Sequence, residues 1–134
     1  MFLIDTNIFL ELFLNREKAE ECEKLLERVS KGDLEAIVTR FSIHAIEAIL
    51  NNPNYILVFL RNIENSLGLT TYDTTIDDEI AVSIVMGEKK MDFDDALQYY
   101  VAKKLGAEAI VSFDKHFDNL DIPRKEPKEI LSSD

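Results

Sequence analysis

Phe2-Leu3-Ile4-Asp5-Thr6-Asn7 opens the chain with three apolar residues that end on an acid. A short, continuously apolar run of this kind reads as a buried strand, and the residues after it, through Leu14, read as a helix. The same pattern returns at Ala36-Ile37-Val38 and at Ala109-Ile110-Val111, the latter followed by Ser112-Phe113-Asp114. Between these runs the apolar residues recur at helical spacing. Ala19, Cys22, Leu25, Leu26 and Val29 mark a helix within Glu17 to Lys31, and Ile43, Ile46, Ile49 and Leu50 mark one capped by Ser42 that stops before Pro53. Tyr55 to Leu67 reads as a helix closed by Gly68, and Leu69 to Tyr72 as a short strand. Thr75-Ile76-Asp77-Asp78 resembles a capping box that opens a helix to Met86, with Gly87 behind it. Asp92-Phe93-Asp94-Asp95 opens another, which runs to Leu105 and ends at Gly106. The tail, with Pro123 and Pro127, reads as irregular with one extra edge strand. Apolar strands alternating with helices predict an α/β fold of three layers, α/β/α, around a parallel central sheet of four to five strands.

The 134 residues suit one domain, residues 1–134, with 46% hydrophobic residues available for its core. One cysteine, four glycines and three prolines exclude a disulfide scaffold, a collagen-like chain and a low-complexity chain. No apolar run reaches the roughly 20 residues of a membrane span, and Asp5 falls too early for a signal peptide. A soluble, cytoplasmic protein without a membrane partner is therefore expected. Asp and Glu number 26 against 15 Lys and Arg, a formal net charge of −11. A general nucleic-acid coat is excluded, because phosphate neutralisation needs a basic surface. Concentrated acids instead suit hard divalent cations such as Mg2+ and Mn2+, which prefer carboxylate oxygens.

Four acids stand out by position. Asp5 closes the first strand and Asp114 follows the last clear one, so in a parallel sheet both fall at the carboxyl edge, where ligands of such folds sit. Glu47 borders the apolar face of its helix, where an acid is partly desolvated unless it is paired. Asp95 lies in the first turn of a helix. Each position has an ordinary explanation alone: a turn, a cap, a solvated end or a lysine pair.

Taken together, the positions resemble the PIN domains, in particular the small VapC-type toxin ribonucleases. Phe2-Leu3-Ile4-Asp5-Thr6-Asn7, Ser42-Ile43-His44-Ala45-Ile46-Glu47, Asp95-Ala96-Leu97 with Ala102 and Gly106, and Val111-Ser112-Phe113-Asp114-Lys115-His116-Phe117 resemble the four motifs of that family in order, over almost the whole chain. The resemblance implies a PIN-like fold in which Asp5, Glu47, Asp95 and Asp114 are the catalytic residues and hold one or two Mg2+ or Mn2+ ions for phosphodiester hydrolysis in RNA. It implies a homodimer and a small antitoxin protein as partner. Thr6, Asn7 and Ser112 are candidates to hydrogen-bond the acids. Asp92 and Asp94 crowd Asp95, and the direct Ala-Leu that follows favours Asp95. His116 stands where the family often has an acid, and Asp118 lies nearby. Arg40, Lys89, Lys90, Lys103, Lys104 and Lys115 flank the motifs as candidate RNA contacts.

Other readings fit less well. A haloacid-dehalogenase-type phosphatase needs a second Asp where Asn7 stands. A response-regulator receiver needs an acid pair closing strand one, and it leaves Glu47 and Asp95 without a role. A PIN-like module that binds RNA or a partner with little catalysis is the remaining alternative.

Overall fold

The computed structural model describes residues 1–133; Asp134, the last residue of the expected domain, lies outside the described residues. In chain order the elements are β1 (Phe2–Ile4), α1 (Thr6–Phe13), α2 (Ala19–Ser30), β2 (Ala36–Thr39), α3 (Arg40–Leu50), α4 (Pro53–Asn65), β3 (Leu69–Tyr72), α5 (Ile76–Lys89), α6 (Phe93–Leu105), β4 (Ala109–Val111), a 3-10 turn (Lys115–Phe117), β5 (Arg124–Lys125) and α7 (Pro127–Ser132). The five strands form one parallel sheet in the order β3-β2-β1-β4-β5. β1 is central, with Leu3 opposite Ile37 on one side and Ile110 on the other.

Side chains alternate across a strand, so each apolar strand feeds two cores. Ile4, Val38 and Val111 pack on one face with Ile8, Leu25 and Phe59. Leu3, Ile37 and Ile110 pack on the other with Val82, Leu97 and Phe117. That two-sided burial explains why the strands are apolar throughout, and it gives the expected three layers.

Local chemistry moves several boundaries. The N-cap of α3 is Thr39, not Ser42: Thr39 is extended, and its Oγ1 accepts the Ser42 amide at 3.1 Å. Ser42 is thereby turned inward and fully buried. α4 starts at Pro53, its amides capped by Asn52, and ends at Asn65, so Gly68 is not its cap. α5 runs through Gly87 to Lys89 and closes on Lys90 in the left-handed region. The tail holds a helix, α7, as well as the edge strand. Pro127 sits in its first turn, Glu126 and Glu129 close its start, and Ile130 is buried.

Gly68 has a different task. Its amide donates to Val29 O, its carbonyl accepts from Ala36, and a Cβ here would collide with the Leu34 carbonyl oxygen and approach Val29 O to 2.8 Å. Both obstacles are backbone and cannot rotate away. Gly68→Ala is expected to destabilise the fold by about 2–4 kcal/mol, within the range of overpacking and backbone strain. Urea unfolding measures this, and a loss below about 0.5 kcal/mol would mean that the loop yields freely.

Candidate active site

Asp5 leaves β1 and caps α1. Its Oδ1 accepts the Thr6 amide at 2.8 Å, and its Oδ2 accepts the Ser112 hydroxyl at 2.7 Å and the Asn7 amide group at 3.2 Å. The residue is only 5% exposed. Burial pushes its pKa up to about 7, partly offset by the Ser112 hydroxyl and raised further by the negative charge of Asp94.

Ser112 follows β4, next to β1 in the sheet, and links the two strand ends. Its Oγ accepts the Asp114 amide at 2.9 Å and the Asn7 side chain at 3.1 Å, while Asn7 Oδ1 accepts the Phe113 amide. Behind it, Arg124 on β5 donates to the Ser112 carbonyl, to Asp118 and to Glu126, which fixes the 112–118 loop from outside. Asp118 is thus engaged by arginine.

α6 brings the third element. Asp92 caps it by accepting the Asp95 amide at 3.1 Å. Asp95, 7% exposed, has its pKa raised to about 6 by burial and by the charges of Asp92, Asp114 and Asp94. Burial raises the pKa of Asp94 as well, against a hydrogen bond from Gln98. Asp114 caps the 3-10 turn by accepting the His116 amide at 2.9 Å. His116 Nδ1 then lies 3.2 Å from Asp114 Oδ1 and 3.3 Å from Asp95 Oδ2. One candidate ligand atom each from Asp95, Asp114 and His116 falls within 4.8 Å of the others. Oxygen donors with one imidazole, in a site that burial and mutual repulsion leave short of positive charge, fit a divalent cation.

Of the four expected acids, Asp95 and Asp114 lie together around His116, while Asp5 is linked to Asp114 through Ser112 Oγ and feels the negative charges of Asp94 and Asp95. Glu47 is half-buried on α3, and its carboxylate has no hydrogen-bond or ion-pair partner among the described residues. Asn7 and Ser112 donate side-chain hydrogen bonds to Asp5 as expected, whereas Thr6 reaches Asp5 only through its backbone amide and its Oγ1 donates to Ser42 Oγ at 2.8 Å. Gln98 is the residue that sequence reasoning missed. Fully buried, it donates to Ser42 Oγ at 2.8 Å and to Asp94, and accepts from Thr39, so it ties α6 to α3 beside the acids. An amide one turn after Asp94, set among Leu97, Val101 and Ala102, was the available sign. Of the basic candidates, Lys103 is paired with Asp121, Lys104 with buried Asp78, and Lys89 lies over the Tyr99 ring. Arg40 and Lys115 are exposed on the elements that carry Ser42 and His116.

The chain belongs to the PIN domain family, whose sequence model matches residues 1–116. No curated protein sequence matches it. Among solved structures it is similar to a toxin-antitoxin complex from Klebsiella pneumoniae, with a TM-score of 0.76 at 15% identity over 95% of this chain and 98% of that one. It is also similar to VapC20 of Mycobacterium tuberculosis, a toxin described as cleaving the sarcin-ricin loop, with a TM-score of 0.67 at 17% identity over 85% and 90% of the two chains. These likenesses establish the fold. Among the described residues, no helix is long and apolar enough to cross a membrane.

Proposed function

We propose that this PIN domain is a divalent-metal-dependent endoribonuclease, the toxin of a toxin-antitoxin pair, with Asp5, Glu47, Asp95 and Asp114 as its catalytic carboxylates. The observation that supports the reading is the grouping of Asp95 and Asp114 around His116, with Asp5, more than 100 positions from Asp114, linked to it through Ser112 and near enough to feel the charges of Asp94 and Asp95. Asp5, Asp95 and Asp114 would hold Mg2+ or Mn2+, with Glu47 as the outer member. Such an ion supplies water activation and charge neutralisation at the phosphate. The protein's own part is positional. Ser112, Asn7 and the Thr6 amide fix both oxygens of Asp5, so that the carboxylate is set before substrate arrives. Arg40 and Lys115 are the cations best placed to meet the RNA backbone.

The test is incubation of purified protein with a panel of RNAs in Mn2+, Mg2+ or EDTA. Cleavage that needs the metal supports the reading. Retention of RNA binding with no cleavage in either metal would leave a binding module instead. Asp95→Asn is expected to lose at least about tenfold more rate than Asp94→Asn, because Asp94 is already committed to Gln98. The reverse order would move the ligand to Asp94.

We also propose a homodimer and an antitoxin partner. The apolar residues of α1 serve the core, since Ile8, Phe9 and Leu10 are buried. Tyr55, Leu57 and Val58 on α4 and Ile76, Ile80 and Ile84 on α5 stay more than half exposed, a feature of contact surfaces. Light scattering at micromolar concentration should give twice 15.4 kDa; a monomer would overturn the dimer. A separate cleft of about 280 Å³, floored by Phe9, Phe13, Leu26 and Ile63 and rimmed by Glu23 and Glu27, suits an apolar partner segment with basic flanks.

A further inference from the structure

We propose that His116 is itself a metal ligand, and that its imidazole biases this site towards a first-row transition ion such as Mn2+ and away from Mg2+. The inference rests on the metal-dependent reading above and adds a donor and a selectivity to it. His116 Nδ1 lies within 3.3 Å of one oxygen each of Asp95 and Asp114, and the three atoms span at most 4.8 Å. Two opposed ligands of one small divalent ion sit about 4.2 Å apart, so this spread closes with a small side-chain adjustment.

The ring is held there by the backbone. Phe117, fully buried, anchors the 3-10 turn, and Asp114 accepts the His116 amide. The side chain itself is 75% exposed, so the core does not dictate its position. The alternative is that His116 only offers the acids a counter-charge. The two accounts differ in one respect: a ligand gives its nitrogen lone pair to the ion, whereas a counter-charge is displaced by it. Carboxylates and water suit Mg2+, while imidazole adds affinity for transition ions. An all-carboxylate site has no such preference built in. The second histidine, His44, lies on α3 with its Nε2 3.4 Å from Arg40 Nε and is not part of the group.

The experiment uses the whole chain at one fixed pH, with histidine labelled with nitrogen-15 and Mn2+ as the paramagnetic probe. Pulsed electron paramagnetic resonance should show Mn2+–nitrogen coupling in the wild type and in His44→Ala, and none in His116→Ala. His116→Ala should also bind Mn2+ about tenfold more weakly. Competition with Mg2+ supplies the second readout. His116→Asp should let Mg2+ displace Mn2+ at roughly tenfold lower excess than in the wild type, even where its total affinity for cations rises. Bound Mn2+ without nitrogen coupling, or an unchanged Mn2+/Mg2+ ratio in His116→Asp, overturns the role of His116 while leaving the carboxylate site standing. A wild type that binds no Mn2+ overturns both. Circular dichroism of each variant checks the fold, which the exposed ring at position 116 does not support.

Discussion

Asp5→Asn is expected to lower the proposed metal-dependent RNA cleavage by at least about 100-fold and to leave the chain folded. The size follows from what the substitution removes. Asp5 is the most deeply enclosed of the site acids, and every hydrogen bond to its carboxylate comes from a residue placed at the strand ends: Thr6, Asn7 and Ser112. Asparagine fills the same space and can still accept the Thr6 amide. It brings no negative charge, and its NH2 group has no acceptor role towards Ser112 and Asn7. The site therefore loses charge and orientation together. Asp114→Asn should give a loss of the same order, with the added effect of a weaker cap on the 3-10 turn. If both variants cleave like the wild type once contaminating nuclease is excluded, the assignment of these acids is wrong. Far-ultraviolet circular dichroism separates loss of chemistry from loss of fold.

The second expected result concerns stability and needs no substrate. In the metal-free protein, burial raises the Asp5 pKa to about 7 and that of Asp95 to about 6, from the ordinary aspartate value of 3.8. An acid with a raised folded pKa keeps its proton in the native state after the unfolded chain has lost it. Its contribution is favourable below the unfolded pKa and is lost as pH rises through the folded one. The metal-free protein should therefore lose stability between about pH 4 and 7, by up to about 4 kcal/mol for Asp5. The cost is shared among acids that repel one another, so the contributions do not add. A divalent ion that binds only the folded, ionised site reverses the trend. At a hundredfold excess over Kd it adds about 2.7 kcal/mol, several degrees of Tm in a domain of this size. The metal gain should grow from about pH 5 to 8 as protons cease to compete. Thermal unfolding with Mn2+ or EDTA at two pH values measures it. Asp95→Asn should be slightly more stable than the wild type in EDTA and lose most of the metal gain. Equal gains in the two proteins would place the ion elsewhere on the acidic surface.

The sequence pattern carried the layered fold because the strands are buried on both faces. Continuous apolar runs at 2–4, 36–38 and 109–111 leave few alternatives to a covered parallel sheet. The placing of Asp5 and Asp114 at one sheet edge, with Ser112 between them, followed from the same logic, since parallel strands put their ends on one edge. What escaped was chemistry that depends on closeness between distant segments. Ser42 has the composition of a cap, and its inward role is visible only once Thr39 takes the capping position. Gln98 looks like a surface amide until Ser42, Thr39 and Asp94 surround it. Gly68 follows an apolar helix as a terminator does, but its constraint comes from the Leu34 carbonyl across the fold. Glu47 was legible as an acid at the border of an apolar face, and it is half-buried there. Its link to the other acids belongs to the proposal.

The central place of β1 in the sheet has a consequence for synthesis. Its neighbour β4 emerges from the ribosome only after more than 100 further residues, and Asp5 gains Ser112 across a separation of 107 positions. Closing so long a loop is slow compared with forming the helices in between. A nascent chain that has exposed β1, β2 and β3 still lacks the loop that carries Ser112, Asp114 and His116. If the proposed ribonuclease activity holds, this ordering would withhold the assembled site while most of the chain is being made beside the cell's densest store of RNA.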